Sequence, residues 1–405
     1  MDQSTATPDN AAQSANRGAR RTLAATGVNH ALHDGYTDLI YVLLPIWQSE
    51  FGLGYGMLAL MRALYAGAMA GLQIPAGRLA ERIDGKVILI FGTVLAALGY
   101  GLAGLSGSGA GLCLALVLSG AGSSTQHPLA SAAVARAYGA SARQPLGIYN
   151  FTGDLGRASS PPLLSMLLIF MPWRYALMVL AFAGLAVAIY MALSMPPAGK
   201  ARHAHAGGTR VKAGAYSRGF MLLFAIGVLD TAVRMGLLTF LPFLLQAKGA
   251  SLPTTGLALS LVFIGGAAGK FTCGWLGERL GVLRTVLLTE GGTAFGILAV
   301  LALPLAPAMM VLPLLGVMLN GTSSVLYGTV PELSRKDQSE RAFALFYTGT
   351  IGSGAVAPIL YGVLGDGFGP VAATVATAIT AIAICPIAFA LARHLRQLPA
   401  GAELQ

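Results

Sequence analysis

Long apolar stretches recur along the whole 405-residue chain and are separated by short polar segments. A helix that crosses a bilayer needs about 20 mostly apolar residues. Twelve stretches meet that requirement, which predicts an all-α membrane protein with twelve transmembrane helices. The predicted helices cover approximately residues 24–47, 56–77, 87–107, 110–135, 144–170, 174–195, 218–246, 253–276, 283–303, 306–330, 341–365 and 370–393.

One connection between these stretches is longer than the others. Residues 197–217 are rich in Gly, Lys and Arg, and they divide the predicted helices into two sets of six, in residues 23–196 and 218–396. Residues 1–22 are polar and lack the ordered regions of a signal peptide, so we expect a disordered cytoplasmic tail followed by an uncleaved first helix. We expect a second short cytoplasmic tail in residues 397–405.

Composition supports the membrane prediction, because 55% of the residues are hydrophobic and only 10% are charged. A soluble domain carries about 25% charged residues. The three cysteines, Cys113, Cys273 and Cys385, are far apart and lie in apolar stretches. They have neither metal-site spacing nor a disulfide pattern, so we expect no metal and no cofactor.

The charges predict the orientation of the chain in the membrane. Cytoplasmic loops of membrane proteins are enriched in Lys and Arg. If the N-terminus is inside, the outer loops carry only Arg174 and Lys248, and the remaining loop and tail Lys and Arg residues are inside. Both termini are therefore expected in the cytoplasm. The same arrangement explains the net charge of +10 without a nucleic-acid partner.

Three short motifs of the first half recur in the second half in the same order. The paired motifs are GRLAERIDGK at 77–86 with GWLGERLGVLR at 274–284, GSSTQHP at 122–128 with TSSVLYG at 322–328, and TGDLG at 152–156 with TGTIG at 348–352. Such a parallel duplication of six helices resembles the two pseudo-symmetric bundles of major facilitator proteins.

The first of these motifs resembles the signature loop of the major facilitator superfamily. In that family the loop pairs charges across the cytoplasmic ends of helices and helps to hold one gating state. Asp84 departs from the pattern, because it stands where a second Gly is usual and Gly85 comes one place late. The resemblance implies a gating role for Gly77, Glu81, Arg82 and Lys86, and for Gly274, Glu278 and Arg279 in the copy.

Three stretches look more narrowly like the fosmidomycin-resistance branch of that superfamily. They are Asn29–Leu53 in the first helix, His127 with Pro128 in the fourth, and Gly236–Leu245 in the seventh. The resemblance implies a secondary active transporter that works by alternating access and exports a small toxic compound or drug, with anions among the candidates, by proton antiport. The alternative is a proton-coupled uptake symporter for an organic anion. Asp154 and Arg157 in the fifth helix depart from that branch and leave the substrate open.

Ionisable residues within predicted membrane helices supply the candidate site, because such residues are costly in a bilayer and usually face a cavity or a partner. Asp34 lies about 15 Å into its helix at 1.5 Å per residue. A carboxylate there carries a proton during the cycle or forms a permanent salt bridge with Arg157 or Arg234. Proton coupling is expected of Asp34, Asp154 and Asp230.

Several of the basic and polar candidates keep more than one interpretation. A guanidinium suits carboxylate, phosphate or phosphonate, yet Arg157 and Arg234 each have an acid one turn away that could neutralise them. His127 contacts substrate, relays a proton or only packs. The residues expected at the substrate are Arg157, Arg234, His127, His30, Asn150 and Tyr327.

Other function classes fit the sequence less well. The chain has neither a G-x-x-x-x-G-K-[ST] phosphate loop nor an H-E-x-x-H metal motif, so we expect neither ATP drive nor an enzyme. Duplicated halves with charged helices suit alternating access better than a channel. We therefore expect a multi-pass monomer in the inner (cytoplasmic) membrane of a bacterium, whose partners are lipid, protons and a small-molecule substrate.

Overall fold

The computed structural model describes residues 8–199, 216–334 and 339–395. These residues form helices joined by short turns, and none of them lies in a β-strand. The helices are α1 (Pro8–Phe51), α2 (Tyr55–Gly71), α3 (Gln73–Leu79), α4 (Gly85–Leu105), α5 (Gly109–Ser123), α6 (Gln126–Tyr138), α7 (Arg143–Phe170), α8 (Trp173–Ser194), α9 (Arg218–Ala247), α10 (Leu252–Ala302), α11 (Leu305–Leu333) and α12 (Ser339–Leu395), with a short 3₁₀ helix at Gly139–Ser141.

The first helix begins earlier than the sequence indicated. It starts at Pro8, so residues 8–22 are helical where a disordered tail was expected. Pro suits the first position of a helix, because the N–H that it lacks has no partner there. Most of the expected linker (residues 200–215) and the C-terminal tail lie outside the described residues.

Proline divides two of the predicted membrane stretches into pairs of helices. Pro75 has no N–H to donate to the carbonyl four residues earlier, and the helix is interrupted at Leu72, between α2 and α3. Pro128 acts in the same way on the carbonyl of Ser124, where α5 ends and α6 follows.

Glycine divides the two longest helices. A helix of 51 residues, the length of α10, would extend about 75 Å, more than twice the thickness of the hydrocarbon core. Gly281 in α10 has a φ of 78°, and Gly369 in α12 has a φ of 86°. Only Gly adopts this conformation without strain, so each of these glycines is a turn between two helices. The turn at Gly281 falls between the predicted stretches 253–276 and 283–303.

Seven helical segments in the described part of the chain are long and apolar enough to cross a membrane. The prediction of an all-α, multi-pass membrane protein is therefore confirmed. The count of twelve spans and the orientation of the termini stay predictions.

The helices group into two compact units that differ from the two predicted halves. Unit 1 contains the described residues up to Asp38, Leu64–Ser160 and those from Met171 to 199. Unit 2 contains Leu39–Ala63, Pro161–Phe170 and the described residues from 216 onward. Parts of α1, α2 and α7 therefore belong to the same unit as the second half of the chain.

Small residues allow close helix packing within unit 1. A Cβ atom at Gly122 of α5 would lie 2.3 Å from the backbone nitrogen of Ala96 in α4. One at Gly92 of α4 would lie 2.7 Å from the carbonyl oxygen of Gly122. Glycine lets the backbones of membrane helices approach in this way, and it accounts for part of the 53 glycines in the chain.

Within unit 2, the N-terminus of α2 is bound by an acid of α12. The carboxylate of Asp366 accepts hydrogen bonds from the backbone N–H groups of Tyr55, at 2.5 Å, and Gly56, at 3.0 Å. A carboxylate is favourable here, because the N-terminus of a helix carries partial positive charge.

The glycine turn in α12 is testable by a matched pair of substitutions. Gly369→Ala places a side chain in the left-handed region and should destabilise the protein by about 1–2 kcal/mol. Gly367→Ala, two residues away, meets open space and has no such backbone strain. Thermal unfolding of the purified variants in detergent measures the difference. Equal midpoints for the two variants would contradict a strained turn at Gly369.

Candidate functional site

A buried carboxylate on α1 forms the centre of a cluster of charged residues in unit 1. Asp34 is 5% exposed, and its Oδ2 atom accepts a hydrogen bond from Nε of Arg157 on α7 at 2.9 Å. The same Nε lies 3.5 Å from Oδ2 of Asp38, one turn further along α1. Of the two arginines considered as partners of Asp34, Arg157 makes the salt bridge, and it has a second acid, Asp38, beside it.

Two histidines complete the contacts of the Asp34 carboxylate. Nε2 of His30 lies 3.5 Å from Oδ2, and Nε2 of His127 lies 3.6 Å from Oδ1. Nδ1 of His30 lies 2.8 Å from the carbonyl oxygen of Tyr149. A carbonyl only accepts hydrogen bonds, so Nδ1 carries a hydrogen. A favourable contact between Nε2 and Asp34 then requires a further proton on one of the two groups.

Residues that the sequence analysis did not select hold His30 in position. The ring of Tyr149 stacks on it with centroids 4.2 Å apart, and the Tyr149 hydroxyl accepts a hydrogen bond from Nε2 of Gln126 at 3.3 Å. Asn29 in turn donates to Gln126. Gln126 directly precedes His127 in the recurring motif, and that position was a sequence signal for its place in the site. The role of Tyr149 could not be predicted in this way, because it depends on packing between α1 and α7.

His33 belongs to a hydrogen-bond network that meets the preceding one at Asn29, whose Oδ1 accepts a hydrogen bond from the hydroxyl of Thr93 at 2.8 Å. Its Nδ1 lies 2.9 Å from the hydroxyl of Ser123, and its Nε2 lies 3.2 Å from that of Thr93. The hydroxyl of Tyr65 lies 3.0 Å from Ser123. Both ring nitrogens of His33 therefore have neutral partners, which is the environment of a packing histidine.

Two glycines of α7 allow the cluster to form. A Cβ atom at Gly153 would lie 2.7 Å from the ring of His30 and 2.8 Å from Oδ2 of Asp34. A Cβ atom at Gly156 would lie 2.0 Å from the carbonyl oxygen of Ala31. A larger residue at either position would separate α7 from α1, so the short Asp34–Arg157 contact depends on both glycines.

Exposure divides the cluster into a buried part and an accessible part. The side chains of Arg157 and His127 are 35% and 34% exposed, whereas those of Asp34 and His30 are 7% and 5% exposed. A solute that reaches the cluster therefore meets an arginine and a histidine first. That arrangement suits an anion, because a guanidinium offers several donors in one plane.

The same cluster has the ligands of a metal site but not its electrostatics. Atoms of His30, Asp34 and His127 that could bind a metal lie within 4.8 Å of one another. Arg157, however, donates to one oxygen of the same carboxylate, and its positive charge opposes a cation there. The arrangement fits exchange of protons and binding of an anion better than it fits a metal ion.

The remaining candidates lie in different surroundings. Asp154 lies one turn from Arg157 on α7, and its charge acts on that arginine. Asn150 is at an exposed position of α7. In unit 2, the hydroxyl of Tyr327 lies 3.4 Å from that of Thr350, and its ring packs against Phe346.

Asp230 and Arg234 also belong to unit 2, on α9. Glu290 on α10 is a further buried acid of the same unit. The candidate residues are therefore divided between unit 1 and unit 2.

The first signature loop is organised around Asp84, the residue that departs from the family pattern. Its carboxylate accepts hydrogen bonds from the backbone N–H groups of Lys86 (2.8 Å), Ala198 (3.1 Å) and Gly199 (2.9 Å). It therefore caps the N-terminus of α4 and binds the segment that follows α8. Nζ of Lys86 donates to the carbonyl of Ala192 at 2.8 Å.

The second copy of the loop has different contacts. The guanidinium of Arg279 lies over the ring of Trp275, 4.3 Å from its centroid. Glu278 is exposed, and Gly274 has open space around it. The gating role of both loops stays a prediction.

Comparison with known proteins identifies the family. The sequence profile of the Major Facilitator Superfamily matches residues 28–229 and 223–404, which is nearly the whole chain. The chain belongs to the Major Facilitator Superfamily. It is therefore a membrane-embedded transporter of small molecules and not an enzyme.

Two relatives in this superfamily are similar in sequence. The fosmidomycin resistance protein of Escherichia coli (strain K12) is 30% identical over 147 residues, which are 36% of each chain. A probable sulfoacetate transporter of Cupriavidus necator is 25% identical over 357 residues, which cover 80% of this chain and 82% of that protein. The first match agrees with the resemblance found in the sequence.

Solved structures of the superfamily share the fold. A bacterial homologue of the human lysosomal transporter Spinster, in an inward-facing and occupied conformation, has a TM-score of 0.78 and 17% identity and covers 92% of this chain and 96% of its own. A point mutant of the nucleoside transporter NupG also has a TM-score of 0.78, with 12% identity and coverage of 92% and 99%. At these identities the likeness establishes the fold alone.

The close approach of α7 to α1 is testable at Gly153. Gly153→Ala would force its new methyl group into His30 and Asp34, and overpacking of this kind costs about 1–3 kcal/mol. Gly147→Ala on the same helix meets open space and is the matched control. We expect a lower thermal midpoint for Gly153→Ala in detergent, with Gly147→Ala at or above wild type. An unchanged midpoint for Gly153→Ala would contradict the packing described for this cluster.

Proposed function

We propose that this protein is a proton-coupled secondary transporter of a small organic anion. It works by alternating access between two six-helix bundles, with twelve spans, both termini in the cytoplasm and a monomer in the inner membrane of a bacterium. The observation that carries the proposal is the ion pair between Arg157 and Asp34, together with the exposure of about a third of the arginine side chain.

Arg157 is the anchor for the anion in this proposal. Its contacts to Asp34 and Asp38 are both made by Nε, so the two terminal nitrogens are the donors that an incoming anion would meet. Carboxylate, sulfonate and phosphonate groups all suit a guanidinium. The name of the relative that matches most of the chain agrees with such a substrate, since sulfoacetate is an organic anion.

Asp34 is the coupling group. While it is ionised, it holds Arg157 by charge, and an anion must compete with it. Protonation of Asp34 removes that competition and frees the guanidinium. Because linkage is reciprocal, binding of the anion favours protonation by the same free energy. His30 and His127, which contact the same carboxylate, give the proton a route to Asp34.

Positive linkage between proton and anion favours their movement in one direction, which is uptake by symport. Export by antiport instead requires a proton and a substrate that exclude each other. The match to the fosmidomycin resistance protein is the observation that favours export, and it covers part of the chain. Symport is therefore the first candidate direction, and antiport is the second.

The symport candidate is tested with the purified protein in liposomes and labelled sulfoacetate as the probe. An inward proton gradient should drive accumulation above the equilibrium level in wild type. Asp34→Asn should lose the dependence on the gradient, and Arg157→Gln should lose transport altogether. Glu332→Gln and Arg393→Gln, at exposed positions, should behave as wild type. Gradient-driven accumulation that survives Asp34→Asn would overturn the coupling role.

The antiport candidate is tested in cells. Expression of the protein in a fosmidomycin-sensitive bacterium should raise tolerance of the drug if export is the direction. The increase should disappear with Asp34→Asn and Arg157→Ala at equal membrane abundance. Unchanged tolerance with wild type present in the membrane would remove export of this compound from consideration.

A further inference from the structure

An arginine on α2 is buried without an acid beside it. Arg62 is 5% exposed and belongs to unit 2. In the described part of the chain, no carboxylate oxygen lies within 4.0 Å of its guanidinium nitrogens. α2 itself contains neither Asp nor Glu, and Asp366 binds the backbone of Tyr55 and Gly56 at the start of that helix. The positive charge of Arg62 therefore has no opposite charge at close range.

The contacts that Arg62 does make are weak ones. Its Nη2 donates to Sδ of Met235 on α9 at 3.8 Å, and its guanidinium carbon lies 5.3 Å from the centroid of the Tyr41 ring. The hydroxyl of Tyr41 donates to the same sulfur at 3.5 Å. A thioether is a weak acceptor, whereas a guanidinium has five N–H donors. The buried Nε of Arg62 has no hydrogen-bond partner among the described residues.

These contacts position the guanidinium of Arg62 but do not neutralise it. A buried charge is unfavourable unless it is paired and hydrogen-bonded. Arg157 satisfies that requirement through Asp34 and Asp38, so an anion must compete with two acids there. At Arg62 no such competitor lies within ion-pair distance in the described chain, and donors that are held in place without a strong acceptor suit an anion.

A second arginine lies next to Met235 on α9. The buried Nε of Arg234 also lacks a hydrogen-bond partner in the described residues, and its Nη1 lies 3.5 Å from Oδ1 of Asn320. Asp230, one turn earlier, has no oxygen within 4.0 Å of either guanidinium in that same part of the chain. Two cations beside this turn of α9 make the local potential positive, which favours an anion at Arg62.

We propose that Arg62 binds the anionic group of an organic solute, a carboxylate, sulfonate or phosphonate, and so forms a second anion-binding site, built from residues of unit 2. Tyr41 and Met235 are positioning residues that hold the guanidinium. Arg62 is closed off in this structure, so the solute enters when the helices rearrange during the transport cycle. Anion binding at Arg62 does not rest on the function proposed above, whereas its use in transport does.

Thermal unfolding of the purified full-length protein in detergent, in a buffer without oxyanions, tests whether Arg62 lacks a partner. Arg62→Met removes the charge and keeps a straight side chain, so its midpoint should equal or exceed that of wild type. Arg174 donates to the carbonyl of Ser106 at 3.0 Å and lies over the ring of Trp173, so Arg174→Gln should lower the midpoint. A decrease for Arg62→Met as large as that for Arg174→Gln would overturn the proposal.

Sulfoacetate added to the same samples tests binding, because a ligand that binds only the folded state raises the midpoint. In Arg157→Gln, which lacks the anion anchor of unit 1, the midpoint should still rise, and the rise should disappear when Arg62→Met is added. In the otherwise wild-type protein, Arg62→Met should need about tenfold more sulfoacetate for a given rise. Arg62→Lys should lie between the two, because it keeps the charge without the planar fork. Equal rises with and without Arg62 would overturn the site.

Inorganic sulfate distinguishes an organic solute from a free oxyanion as the occupant. Sulfoacetate should raise the midpoint at lower concentration than sulfate does. An equal, Arg62-dependent rise with sulfate would overturn the assignment to an organic solute.

Transport of labelled sulfoacetate in liposomes separates this site from the proposed function. Arg62→Met should raise the KM for uptake about tenfold, in line with the weaker binding. If wild type shows no proton-driven uptake while the Arg62-dependent rise in midpoint remains, the proposed function fails and the anion site stands. If wild type follows the proton gradient and Arg62→Met does so with the same KM, the role of Arg62 in transport is overturned and the function stands.

Discussion

A charged side chain buried in a helix bundle is costly without a partner, and the partner of Arg157 is Asp34. Most features of unit 1 follow from this pair. The contact of 2.9 Å requires α7 to lie against α1, and Gly153 and Gly156 make that approach possible. The stacking of Tyr149 on His30 then places an imidazole beside the same carboxylate. The buried ion pair between Asp34 and Arg157 therefore depends on the two glycines that let the helices approach and is accompanied by the aromatic ring of Tyr149.

Arg157 and Arg234 have different surroundings. In unit 1 Arg157 is bound by two acids of another helix, whereas in unit 2 Arg234 keeps an Nε without a hydrogen-bond partner among the described residues. In the proposed function, protonation of Asp34 would release Arg157 and so join anion binding to proton binding.

Features that depend on composition and local spacing were predictable from the sequence. The apolar stretches predicted the helices because a bilayer requires a minimum length, and the cost of buried charge selected Asp34 and Arg157. The division at Pro75 follows from a local rule, yet the continuous hydropathy of the stretch obscured it. Contacts between residues distant in the chain were not predictable. The three backbone N–H groups that bind Asp84 include two from the segment after α8, and no periodicity brings those positions together.

The most direct test of the central claim is the number of protons taken up when an anion binds. Calorimetric titration of the purified protein with sulfoacetate, repeated in buffers of different ionisation enthalpy, gives that number. In this account, ionised Asp34 holds Arg157, and an anion that takes the place of Asp34 on the guanidinium favours protonation of Asp34. Anion binding to the wild-type protein should therefore be accompanied by proton uptake. The uptake should disappear in Asp34→Asn, in which the anion still binds. Binding to wild type without proton uptake, or equal uptake in wild type and Asp34→Asn, would contradict the coupling of anion and proton through this ion pair.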